Sequence, residues 1–298
     1  MNHQRSSTAL RSAVLVLCLA IAIGAAAEGG REATEAFFER REASLRRDDG
    51  WLALVGLHAL SVGSPTIGSK GDLRVPDRHP AVIGHFVLEA DPVRFVAADG
   101  VEARVGDEVV TAVDMAPDIT GDPTVVEIGS LLFYVIVRND RLYLRVKDRE
   151  AELLSTFGGV PRWDYDPEMH VNARWVPHEE HDLFVADILG GGSPTTCKGA
   201  VEFEIEGTTY QLEPTSYGDD RWSFIYGDES NGVSSYGAGR FLYFEKPGED
   251  RRIDLDFNQS YNPPCAFTAY STCPVPPDSN ILPIAIHAGE KMWEGHGE

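Results

Sequence analysis

Between residues 81 and 147, apolar and polar positions alternate with a period of two. The segments AVIGHFVLEA, VRFVAA, VEARVG, EVVTAV, TVVEIG, LLFYVIVR and RLYLRVK each put β-branched or aromatic side chains on one face of an extended chain. The pattern returns over residues 172–257 in NARWVPH, AVEFEIEG, TYQLEP, RWSFIYGDE, RFLYFEKP and RIDLDF. Turn formers stand between the segments: Ala98-Asp99-Gly100, Asn139-Asp140, Glu206-Gly207 and Pro247-Gly248. One stretch carries the helical period instead. Residues 31–49 set Ala33, Ala36, Phe37 and Leu45 among Glu–Arg pairs four apart, and Asp48-Asp49-Gly50 closes the run. Short, regularly punctuated strands with a single helix predict an all-β class: a β-sandwich with an N-terminal helix and a second antiparallel β-rich segment closed by a Pro-rich C-terminal tail. The expected division is a helix over 28–49, a sandwich segment over 50–147 and a second β-rich segment over 148–298. Periodicity lapses over 148–170, which marks the joint, and the two β segments are compatible with one domain.

The first residues modify this picture. Arg5 and Arg11 precede an apolar run from Ala13 to Ala27, which has the length of a signal-peptide core and is short for a membrane span. Ala25 and Ala27 are small residues at the −3 and −1 positions, so cleavage is expected after Ala27, with 1–27 as signal peptide and the mature chain exported to the periplasm or medium. Cys18 follows Leu17 and is followed by further apolar residues, a context that does not suit lipidation. No membrane insertion is expected once the leader is removed.

Charge then narrows the partners. The 298 residues carry 47 acidic against 26 basic side chains, a formal net charge of −21. Such a surface repels nucleic acid, and the acids are spread along the chain rather than gathered in a tail. Oligomeric state is not legible at this level.

Motifs for known chemistries are largely absent. GSPTIGSK (Gly63 to Lys70) inverts the last pair of a phosphate-binding loop and precedes no helix, so it reads as a turn. No G-x-S-x-G elbow and no G-x-G-x-x-G occurs, and no cofactor is expected. DESNG (Asp228 to Gly232) lacks the ligand set of a calcium loop and reads as a β-turn. HEEHD (His178 to Asp182) lacks the H-E-x-x-H spacing. In an extended strand, positions three apart face opposite ways, so His178 and His181 are not expected to converge and no metal is expected.

The densest stretch is DFNQSYNPPCAFTAYSTCPVPPDSN, residues 256–280. Its prolines exclude a central strand, and the tail from Tyr261 to Pro283 is expected to run extended over the surface. Cys265 and Cys273 are eight apart, outside C-x-x-C spacing. They form a candidate disulfide, with buried thiols or a Cys265 nucleophile served by His287 or a histidine from another strand as the other readings. Cys197 is left over as an odd thiol.

GWLALVGLHAL (Gly50 to Leu60), SYGAGRFLYF (Ser235 to Phe244) and the long block from Asp256 to Lys291 together resemble the bacterial family catalogued as domain of unknown function 1684, over most of residues 37–291. The resemblance implies an often exported protein without assigned chemistry. Ser235 departs from the Thr usual in that block. Residues 60–89 with VEIGSLLFYVI are more loosely similar to a forkhead-associated domain, but Ser69 stands where its phosphate-binding Arg would be, and His79 near its Ser. The family-motif residues Arg240, Asp256, Asn258, Tyr261, Asn262, Cys265 and Glu290 form the candidate ligand set, able to orient a small polar ligand. Arg240 is expected to pair with Asp256 or Glu290 if these residues are structural. No catalytic residue is assigned. The expected role is an exported binding or structural protein, with a hydrolase using Cys265 or these carboxylates as the alternative.

Overall fold

The structure is a computed structural model that describes residues 28–88 and 92–295. The expected leader, residues 1–27, lies outside the described residues. No described helix is long and apolar enough to cross a membrane.

The fold is mostly β. Helix α1 covers residues 28–45. One sheet of six strands has the order Leu54–Ala59 (β1), Arg141–Asp148 (β11), Leu131–Arg138 (β10), Val126–Ile128 (β9), Ala103–Val105 (β6) and Glu108–Val110 (β7). A second sheet orders Leu73–Arg74 (β3), Thr66–Gly68 (β2), Gly84–Val87 (β4), Arg94–Ala97 (β5) and Ala112–Asp114 (β8). One core joins them, with Phe86, Phe95 and Phe133 fully buried at its centre. Their rings lie 5.1–5.9 Å apart in tilted and edge-on contacts, and each buried ring contributes about 1.5–3 kcal/mol of hydrophobic stabilisation.

The second β region has its own core. Its four-stranded sheet orders Thr208–Leu212 (β14), Gly192–Ile205 (β13), His170–Ala186 (β12) and Arg252–Asp256 (β18). Beside it lies a three-stranded sheet of Ser216–Tyr217 (β15), Arg221–Tyr226 (β16) and Arg240–Glu245 (β17). Val201, Phe203, Phe224, Leu242 and Phe257 meet between them. The lapse at 148–170 contains a short helix, Glu152–Thr156, and a helical turn, Pro167–Met169.

Local sequence explains the joints. Asn139 and Asp140 take φ of 52° and 58°, and Glu206 and Gly207 take 52° and 76°. These are the left-handed pairs that close two-residue hairpins with the twist of the flanking strands. Ser69 is buried, its carbonyl accepting from Arg74, and His79 Nε2 lies 2.7 Å from Asp148, so neither residue presents a free surface to a phosphate.

The tail corrects one expectation. It runs over the surface only in part: Tyr270 and Ile281 are exposed, but much of it is buried. Asn262, Ser271, Asn280, Ile286 and Ala288 have no exposure, and Phe267 and Leu282 are buried. The tail inserts between elements through single bridges, Phe241 to Tyr261, Asp187 to Pro274, Gly227 to Ile281 and Arg162 to Glu290. Its prolines exclude ladder pairing, as expected. Its apolar and carboxamide side chains nevertheless fill interior space, which composition does not report.

Candidate functional site

Strand β17 explains how a cleft forms. Period-two alternation sends Arg240, Leu242 and Phe244 inward and leaves Phe241 and Tyr243 on the other face. Tyr261 pairs with Phe241 through two backbone hydrogen bonds of 2.8 and 3.0 Å and stacks on Tyr243, rings 6.0 Å apart. Helix α1 closes the opposite wall with Phe37, Arg41 and Leu45, spaced four apart on one face. The result is a cleft of about 370 Å³ lined mainly by aromatic rings, Trp51 and Phe267 among them. Two cations meet these rings. Arg41 sits 4.3 Å from the Tyr261 ring centre and Arg221 5.3 Å from that of Tyr243. Burial pushes the Tyr261 phenol well above its ordinary range, so it stays a neutral hydroxyl.

The seven candidate residues do not converge on one cleft; Tyr261 alone among them lines it. Arg240 is fully buried and donates to Asp228 at 2.7 Å and to the carbonyls of Ile286 and Ala288. The expected partners Asp256 and Glu290 are engaged elsewhere. Asp256 accepts from Thr34 of the helix at 2.8 Å and from the backbone and side chain of Asn258. Asn258 in turn clamps the backbone of Asp166 in both directions. Glu290 receives Arg41 in a two-point ion pair and the Asn262 backbone at 2.6 Å. These groups are consumed by one another and tie the helix, the joint and the tail together.

Cys265 and Cys273 are free thiols, not the expected disulfide. The Cys265 backbone N–H donates to the Cys273 sulfur at 3.1 Å, and the Ser271 hydroxyl to the Cys265 sulfur at 3.0 Å. A hydrogen bond from Cys273 lowers Cys265 to about 7 against the opposing effect of burial, with Ser271 assisting. The hydrogen bond with Cys265, and burial, push Cys273 up. His287 stacks on Trp163, and among the described residues no imidazole contacts the Cys265 sulfur.

Sequence reasoning missed Arg41, Thr34 and Asp228. Thr34 and Arg41 were detectable as polar residues on the inward stripe of the helix. Asp228 lay inside DESNG, whose turn closes as expected, with Asp228 Oδ1 accepting from Ser230 N–H, while its other oxygen takes Arg240. His178 and His181 also depart from expectation. Between Pro177 and His181 the register of β12 against β13 slips by two extra residues on β12, a bulge in an otherwise continuous strand, and the two imidazoles stack with ring centres 5.0 Å apart.

Comparison with known proteins gives a family region but no activity. No curated protein matches. A solved structure, the solution NMR structure of the uncharacterized protein from gene locus rrnAC0354 of Haloarcula marismortui, is 26% identical, covering 49% of this chain and 82% of that one at a TM-score of 0.40. Residues 155–291, which hold the second β region and the tail block, match the model of a family described as Protein of unknown function (DUF1684).

Proposed function

We propose that the protein is exported and binds a small ligand with a flat aromatic or heteroaromatic body and a carboxylate, held in the cleft between helix α1 and strand β17. The observation that carries this reading is the sign of the cleft. In a chain of formal net charge −21, the lining contains Arg41 and Arg221 and, among the described residues, no carboxylate. Exposed Tyr243, stacked on buried Tyr261, offers a flat apolar face. Arg41 is committed to Glu290, whereas Arg221 faces the largely exposed Glu245 at 3.6 Å. Such a screened pair is worth little and leaves the guanidinium able to meet an anion.

Calorimetric titration with aromatic carboxylates and their uncharged amides tests the reading. Carboxylates should bind and amides bind at least tenfold more weakly. Arg221→Met should erase that preference, and Tyr243→Ala should weaken both classes. No binding by any member, or equal binding of acid and amide, rejects it.

A further inference from the structure

The slipped register in β12 has a chemical consequence. Around it stand four side chains of metal-binding type: His178 and His181 from β12, Cys197 from β13, and Glu213 just after β14. Ligand atoms of His178, Cys197 and Glu213 all lie within 4.8 Å of one another. Glu213 Oε1 is 3.3 Å from His178 Nε2 and 3.2 Å from His181 Nε2. The Cys197 sulfur is 3.6 Å from Glu213 Oε1 and 3.9 Å from His178 Nε2. Tetrahedral zinc bonds of about 2.0–2.1 Å to nitrogen or oxygen and about 2.3 Å to sulfur imply ligand separations of about 3.4 Å for N–O pairs and about 3.6 Å for pairs with sulfur. The observed spacings match within a few tenths of an ångström. His181, half exposed and touching the cluster through Glu213 alone, would complete the set by turning its ring toward the other two ligand atoms.

The surroundings are arranged as a metal's outer shell would be. His178 Nδ1 lies 2.8 Å from the Glu179 carbonyl. An N–H donated there fixes the tautomer that leaves the Nε2 lone pair free. The second oxygen of Glu213 accepts from the Ser279 hydroxyl at 2.8 Å, and Asn280 clamps the Glu213 backbone on both sides. Cys197 has no exposure, and the Tyr217 hydroxyl approaches its sulfur at 3.6 Å.

We propose that His178, His181, Cys197 and Glu213 form a zinc site that pins the β12–β13 hairpin to the strand end and tail beside it. On binding, the Cys197 proton leaves to solvent and the thiolate and the Glu213 carboxylate balance the two charges of the ion, with both imidazoles neutral. Four protein ligands leave no open coordination position, so the site is structural rather than catalytic. It also gives the buried Cys197 thiol a use that the aromatic cleft does not provide.

The test uses the full chain, stripped with chelator and kept reduced, titrated with ZnCl2 and CoCl2. One equivalent of zinc should bind and raise the melting temperature. Cobalt should give tetrahedral visible bands together with thiolate-to-cobalt charge transfer. Cys197→Ser should abolish the charge-transfer band. His178→Gln, on a partly exposed side chain, should keep the apo melting temperature, weaken zinc at least tenfold and cancel the thermal shift. Ser279→Ala should weaken zinc on the order of tenfold by releasing Glu213. No saturable zinc binding, a cobalt spectrum without thiolate charge transfer, or full affinity in His178→Gln overturns the proposal.

Discussion

Arg41 and Glu290 are 249 residues apart in sequence and meet in a two-point ion pair, with Glu290 1% and Arg41 14% exposed. The same guanidinium donates to the Asn262 carbonyl, and Glu290 accepts from the Asn262 backbone. The pair therefore fastens the N-terminal helix to both ends of the tail and sets one wall of the aromatic cleft.

Breaking this pair from one side leaves a buried charge without a partner, which costs about 3–5 kcal/mol. Arg41→Met and Glu290→Gln should each lower unfolding free energy by an amount of that order in urea titrations. The double variant should lose clearly less than the sum, because both changes remove one interaction. Additive losses would show that the two residues act separately.

Cys265 should be the reactive thiol of the tail. With its pKa lowered to about 7, iodoacetamide labelling of the folded protein should rise with a midpoint near neutral pH at Cys265 and leave Cys273 unlabelled. Cys273→Ala removes the hydrogen bond that lowers Cys265, so the midpoint should move up. Peptide mapping after timed labelling reads both outcomes, and equal labelling of the two thiols contradicts the assignment.

Fully buried Tyr226 and half-buried Tyr236 should make the fold alkali-sensitive. Burial pushes Tyr226 and Tyr236 up to about 12. An unfolded tyrosine ionises near pH 10, about two units earlier. Between pH 10 and 12 the unfolded state therefore binds fewer protons than the folded one, and stability falls as pH rises, by up to about 1.4 kcal/mol per unit for fully buried Tyr226. Denaturant midpoints across this window should decline, and Tyr226→Phe should flatten the decline. A flat profile in the unsubstituted protein would contradict the buried phenols.

Gly289 has φ of 79°, and a Cβ added there would collide with the Ser260 carbonyl oxygen. Gly289→Ala should destabilise by more than about 1 kcal/mol, since it combines a left-handed backbone with a clash. Gly100, also left-handed at 77°, has open space where a Cβ would sit, and Gly100→Asn should be nearly neutral in thermal melts.

Strand positions, hairpin turns and the helix were legible because each depends on neighbours two to four residues away. The alternation in RFLYFEKP decides that Leu242 faces a core and Tyr243 does not, whatever the rest of the chain does. Asn139-Asp140 and Glu206-Gly207 choose their turns for the same local reason. The prolines of the tail likewise rule out a ladder strand by themselves, through their missing N–H groups.

Only the tertiary structure decided which polar groups meet. Arg240 takes Asp228 rather than Asp256 or Glu290, because pairing follows where strands deliver side chains and spacing along the chain carries no such information. Whether Cys265 and Cys273 are bridged turns on backbone geometry a few ångströms across. His178 and His181 lie on opposite faces of any regular strand. They stack beside Glu213 only because β13 pairs across a two-residue slip in β12, an interaction between segments some twenty residues apart. The period of a strand is a local property, whereas its interruption is imposed by the partner strand.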